Sequence, residues 1–200
     1  MSYNVQLELP DAGTPLRYAR KMSHAEFTDF CRANPEMVIE READGTLNIM
    51  SPVPLVSGRR ESEIITDLNL YARRTGGSAF SSSTGFTLPN GSVKSPGASY
   101  LSAEKLAAFS EEDLRHFAAV VPDFIVEVVS PSDDLAEVAD KVRTVWIAAG
   151  VRLAWLIDVD TDRLWVYRAD HSVELISPLD RVVGGEGVLP GFEFDLTLLH

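Results

Sequence analysis

Residues 124–129, Phe124-Ile125-Val126-Glu127-Val128-Val129, are apolar at odd and even positions alike, apart from one carboxylate. Successive side chains of a strand point to opposite faces, so a run apolar on both faces must be covered on both. That requirement constrains the chain most. It calls for an α+β or mixed α/β domain, a mixed β-sheet flanked by helices. The 200 residues are 45% hydrophobic and 24% charged, enough apolar side chain for a core of that kind. No repeat or linker divides the chain. A single domain over 1–200 is expected, with 1–22 as an N-terminal extension.

Around the central strand the local signals are short. Ser23-His24-Ala25-Glu26 has capping-box spacing and predicts a helix to about Ala33. Met37–Arg41 and Thr46–Met50 flank an Ala-Asp-Gly turn and predict a hairpin. Residues 59–75 carry Ile64, Ile65, Leu68, Tyr71 and Ala72 at helical spacing, with Gly76 and Gly77 as the stop. Short strands are expected near Ala79–Ser82, Gly85–Leu88, Val93-Lys94 and Tyr100-Leu101, and small helices after Ser102 and Ser110. After the central strand, Ser132 is expected to cap a helix running to about Ala149. Arg152–Asp158 and Arg163–Arg168 form a second hairpin, Val173–Ile176 pairs next, and all strands are expected in a single sheet.

Charge and composition narrow the functions. The net charge is −12, of which residues 101–200 carry −11 and residues 1–100 only −1. Such a chain repels polyanions at long range, so a nucleic-acid contact must come from the first half. Arg59-Arg60 and Arg73-Arg74 are the candidates there, against the plainer reading of solvated charges at helix ends. One cysteine, Cys31, excludes an internal disulfide and a Cys-rich zinc site. No membrane-length apolar run and no leader are seen, so a cytoplasmic protein is expected. His24, His116, His171 and His200 are scattered, and phosphate-loop, serine-elbow and dinucleotide motifs are absent.

Two residues break their surroundings. Glu127 lies inside the apolar strand, where a lone carboxylate is costly unless neutral, paired or metal-bound. Lys141 shares the helical face of Val138 and Val145, which should pack on the sheet unless the lysine reaches out to the helix edge. A strand carboxylate and a lysine of the next helix, aimed into one interior, suit metal-assisted phosphodiester cleavage.

These residues belong to a longer set of matches: Ile39-Glu40-Arg41, Ile49-Met50-Ser51-Pro52, Gly58-Arg59-Arg60 and the run from Ser82 to Gly91. Ser95-Pro96, Pro122 to Val128, Ser130, Ser132-Asp133, Lys141, Gly150, Trp155 to Asp158, Val166-Tyr167-Arg168 and Val188 to Phe192 complete it. Over about residues 23–197 the chain resembles the Putative restriction endonuclease family of bacterial proteins, a branch of the PD-(D/E)XK nuclease superfamily. The resemblance implies a restriction-endonuclease-like core and Mg²⁺- or Mn²⁺-dependent cleavage of nucleic acid. It maps catalytic roles onto Glu40, Glu127 and Lys141, with Glu127 a metal ligand. The aspartate of the family's Ser-Pro-Asp, which binds the metal, is here Gly97. Asp123 is the substitute ligand if the site has rearranged. Two functions follow: a weakened or altered metal-dependent endonuclease, or a catalytically inactive nuclease-fold protein kept for binding or structure. Glu40, Glu127 and Lys141 are expected to converge with Gly97 at the wall. The apolar hairpin Leu164-Trp165-Val166-Tyr167 suggests a homodimer, unless Trp165 and Tyr167 pack on the chain's own helices.

Overall fold

The Ser23 hydroxyl accepts from the Glu26 amide at 3.3 Å, and the Glu26 carboxylate accepts from the Ser23 amide at 2.9 Å. This reciprocal cap opens the first helix of the chain, seen here in a computed structural model that describes residues 17, 18 and 20–200. Most of the expected N-terminal extension therefore lies outside the described residues; its end does not, and Met22 is buried.

In chain order the elements are β1 (Arg17–Tyr18), α1 (His24–Ala33), β2 (Val38–Arg41), β3 (Leu47–Met50) and α2 (Leu55–Thr75). They continue with β4 (Ser78–Ser81), β5 (Phe86–Thr87), β6 (Val93–Lys94), β7 (Ala98–Leu101) and α3 (Ala103–Leu106). After them come β8 (Phe124–Val128), α4 (Leu135–Lys141), β9 (Leu153–Asp158) and β10 (Arg163–Arg168). Last are β11 (Val173–Ile176), β12 (Val182–Gly185) and β13 (Leu189–Asp195). α2 begins before residue 59, on Pro54, and ends where Gly76 turns left-handed at φ 77°.

The expected single sheet is instead three among the described residues. Strands β11-β10-β9-β8-β7-β4 form a six-stranded sheet, β1-β3-β2-β6-β5 a five-stranded one, and β12-β13 a separate pair. β8 and β9 run parallel at the centre of the larger sheet, and its other pairings are antiparallel. Strands as short as two residues have no hydrophobic pattern of their own, so their sheet membership is set by tertiary contacts.

β8 alternates between two cores. Phe124 and Val126 meet Ile64 and Leu68 of α2, whereas Ile125 packs with Trp146 and Leu156 on the opposite face. Full burial of each such side chain contributes about 1.5–3 kcal/mol, which is what holds a helix on either side of this strand. The alternation directs Glu127 to the face of Ile125 and Trp146. Trp165 and Tyr167 pack into that same core, so the hairpin surface that suggested a homodimer is covered by the chain itself. A third core, with Phe27, Ile39, Leu47 and Val93, lies under α1.

The helix after β8 also departs from expectation. Its cap is Asp134, whose carboxylate accepts from the Ala136 amide at 2.7 Å, and not Ser132. Ser132 falls in the turn before it, where Asp133 Oδ2 accepts from the Ser130 amide. Immediately after Lys141 the helix widens into a π-helical segment, Val142–Ile147. Among the described residues no helix is long and apolar enough to cross a membrane.

Candidate active site

Lys141 Nζ lies 3.0 Å from Glu127 Oε1 and 3.6 Å from Glu40 Oε1. Residues from a strand of each large sheet and from α4 thus meet at one point. The π segment makes this possible. In an α-helix, residues five apart point about 140° away from each other. The wider π turn brings Trp146 back to the side of Lys141: its indole N–H donates to Glu127 Oε1 at 2.7 Å, and its ring lies 5.9 Å from Lys141 Nζ.

Glu40 is 4% exposed and bonded on both oxygens. Oε1 accepts from the Ser95 amide at 2.9 Å, and Oε2 from Lys94 Nζ at 3.0 Å. Lys94 is itself buried and bridges on to Glu42. Burial pushes the Glu40 carboxyl up, but the Lys141 and Lys94 ammoniums and the Ser95 amide outweigh it and hold the acid below its ordinary range. Burial works equally against the Lys141 charge, and the Glu127 and Glu40 carboxylates overcome it, so Lys141 stays an ammonium throughout the neutral range.

Lys94 was not visible as a site residue in the sequence. It stands in a two-residue strand, and only the pairing of Arg41 with Val93 carries it to Glu40. The other expected residues fall elsewhere. Asp123 is a correction: its carboxylate accepts from the Ser102 amide at 2.9 Å and lies 3.1 Å from Lys105 Nζ and 3.8 Å from Arg152 Nη1. Four residues along a strand is about 13 Å, so it anchors the start of α3 and not Glu127. Arg60 is also corrected, whereas Arg59 is exposed. Arg59 donates to the carbonyls of Leu198 and Leu199, and the buried Arg60 donates to Leu199 O at 3.2 Å and Asp160 Oδ1 at 2.9 Å. They fasten the C-terminal turn. Arg73 and Arg74 are exposed in the last turn of α2, where cations complement the helix dipole.

Gly97 immediately precedes β7, beside Glu127. A Cβ there would lie 3.9 Å from Glu127 Cα and 3.0 Å from Val126 O, and its φ is outside the left-handed region. A side chain there requires the Val126 carbonyl of β8 to give way by a few tenths of an ångström, and the glycine that stands there supplies no ligand.

A model of the Uma2 family, described as "Putative restriction endonuclease", matches residues 24–198. The chain belongs to the Uma2 family. No curated protein matches it. Among solved structures, a protein from Anabaena variabilis described as a putative nuclease superimposes with a TM-score of 0.71. The two are 18% identical over 89% of this chain and 97% of that one, which establishes a shared fold. The site of this Uma2 chain can be weighed against the divalent ion that restriction-endonuclease-like proteins generally use. Among the described residues no three His, Cys, Asp or Glu side chains gather as a ready cage. Magnesium, however, needs only one or two carboxylates with water and substrate oxygens. Glu127 takes both Lys141 and Trp146 on Oε1, so Oε2 is its oxygen left for a cation. The donors present fit such an ion through Glu127, whereas Glu40 is fully engaged.

Proposed function

We propose that this Uma2 protein is a nucleic-acid endonuclease of weakened, metal-dependent activity, with Glu127, Lys141 and Glu40 as its working residues. The observation that carries the reading is Lys141 Nζ, shared between Glu127 and Glu40 beside Gly97, the position to which the resemblance gives a metal-binding acid. A divalent ion on Glu127 would activate water and neutralise charge on the scissile phosphate. The Lys141 ammonium orients the attacking water or meets the phosphate charge, and Glu40 holds the ammonium in place. With only Glu127 of the family's metal acids in position, cleavage is slow. Nucleic acid approaches through local contacts, because the chain as a whole is acidic.

The experiment is Mg²⁺-dependent cleavage of supercoiled plasmid and of RNA by the unmodified chain and by Gly97→Asp, Lys141→Ala and Glu127→Ala. Slow cleavage, accelerated in Gly97→Asp and lost in the other two, supports the reading. Rapid cleavage by the unmodified chain overturns the weakening. A second reading, a catalytically inactive nuclease-fold protein with a binding role, is favoured by the mutual neutralisation of Lys94, Glu40, Lys141 and Glu127, which leaves no charge of the cluster unpaired. Absence of cleavage in every variant, with retained nucleic-acid binding, selects it. The same reading places the protein in the cytoplasm as one domain. Its homodimer would form through β11, the edge strand of the large sheet, where Val173 and Leu175 are half exposed.

A further inference from the structure

A cavity of about 280 Å³ lies at the start of β2, walled by the end of α1, the turn after β4 and Ser95. Ser95 joins it to the charged cluster, because the Ser95 amide is the donor to Glu40 Oε1. The strand joins it a second time. Val38 lines the cavity and stands two residues before Glu40, so the two share one face of β2 about 7 Å apart along it. Val38 also pairs with Met50 across the β2–β3 ladder, which puts both side chains on that face. Met37, Val38 and Met50 are all exposed. An apolar rim thus runs from the mouth of the cavity toward Glu40.

The walls suit a flat, uncharged ligand. None of the described residues that line the cavity is charged, in a chain whose net charge of −12 repels a phosphate. Burial pushes the Cys31 thiol up, so that it too stays neutral. Phe117 supplies an aromatic wall and is held against Phe27, with ring centroids 5.2 Å apart. Gly85 makes room for that ring: a Cβ there would lie 3.0 Å from Phe117 Cδ1 and 2.9 Å from Val93 Cγ1. Ser83 and Ser95 add groups that both donate and accept, and Met37 adds a polarisable thioether. Small-molecule sites begin at about 300 Å³, so the space suits one base. A base enters such a cavity only when it is unpaired and out of its stack.

We propose that this cavity takes one unpaired base of the nucleic acid, next to the phosphate at Glu127 and Lys141, and so selects an open strand over intact duplex. The inference rests on the proposed function for the place of the phosphate, and it adds the form of the substrate. It also gives an acidic chain a way to hold a polyanion, because affinity comes from base stacking on Phe117 and the apolar rim and not from basic side chains.

The test is binding without turnover. Fluorescence anisotropy in EDTA compares a short labelled DNA strand, the matching RNA strand and the blunt DNA duplex of the same sequence. The full chain is measured beside Phe117→Leu, Met37→Ala and Val182→Ala, the last an exposed apolar residue of β12. Met37 is exposed, so Met37→Ala is expected to fold even where Phe117→Leu does not, with circular dichroism as the check. A preference of about tenfold or more for an open strand over the duplex, reduced in the folded Phe117 and Met37 variants and kept in Val182→Ala, supports the proposal. The tighter of the two strands shows whether the base comes from DNA or RNA. Equal affinity for strand and duplex overturns the proposal and leaves the nuclease reading to the cleavage assay. A preference unchanged in the folded Phe117 and Met37 variants also overturns it. No binding of any nucleic acid overturns both. On the unmodified chain, a strand carrying iodouracil is cross-linked by light and the product digested. The cross-link is expected on peptides with Cys31, Met37 or Phe117, and cross-links confined to other peptides overturn the proposal.

Discussion

The Trp146 indole donates to Glu127 Oε1 at 2.7 Å, across the boundary between the helix and the central strand. The same oxygen receives Lys141 Nζ at 3.0 Å. Glu127 is thus oriented from two points of one helix, five residues apart, and the strand carboxylate cannot turn without breaking one of them.

Trp146→Phe keeps the ring's packing and removes this donor. Leaving a buried acceptor short of a partner costs about 1–3 kcal/mol. Urea denaturation followed by circular dichroism is expected to show a loss in that range, and an unchanged midpoint would mean the indole bond contributes nothing.

Lys141→Met leaves Glu127 and Glu40 close together without the ammonium between them. Breaking a pair of this burial costs about 3 kcal/mol at neutral pH, the low end for a buried ion pair, since Lys141 is a quarter exposed. The loss is expected to shrink toward acid pH, because Glu40 has lost the Lys141 ammonium that opposed the effect of burial on its carboxyl. Paired denaturation curves at pH 7 and pH 5 measure the difference.

The unmodified chain has two titration limbs with opposite signs. Glu40 is depressed on folding, so its stabilising share is present above its unfolded value and is lost as pH falls through the folded one. Lys141 is raised, so its share is present below the unfolded lysine value and is lost as pH climbs through the folded one. Thermal melts from pH 3 to 11 should therefore be flat between about pH 5 and 10 so far as these groups are concerned. Glu40→Gln should flatten the acid limb; an acid limb unchanged in that variant assigns it to other carboxylates.

Association through β11 predicts a particle of twice the 22.0 kDa chain mass in light scattering. Leu175→Lys on the exposed edge should return it to a monomer. A monomer in the unmodified chain removes the dimer.

What the sequence made legible follows physical rules. Glu127 and Lys141 stood out because each broke a local pattern, and such breaks survive without any knowledge of tertiary structure. The α1 cap, both hairpins and the C-terminus of α2 were readable because their signals lie within a few residues of each other. Lys94 carried no such signal, since burial of an isolated lysine depends on which strand is laid beside it. Asp123 illustrates the opposite difficulty: strand alternation places it on the face of Glu127, but alternation says nothing about distance along the strand or about Lys105 and Ser102 waiting nearby. The division into separate sheets was likewise hidden, because short strands owe their partners to contacts distant in sequence. The π turn left no mark at all in the hydrophobic spacing.

That turn carries a consequence for how this chain tolerates length changes. A π segment spends one more residue per turn than an α-helix over the same rise. Deleting a single residue within 142–147 would let an ordinary helix form with its cap at Asp134 and its join to β9 both intact. With the residue removed before Trp146, the indole would stand four positions after Lys141, about 40° away in an ordinary helix, and would keep the side that it shares with Lys141. A one-residue deletion in this segment is therefore absorbed by the π turn, and the charged cluster outlasts a length change that a regular helix would pass on as a rotation of about 100°.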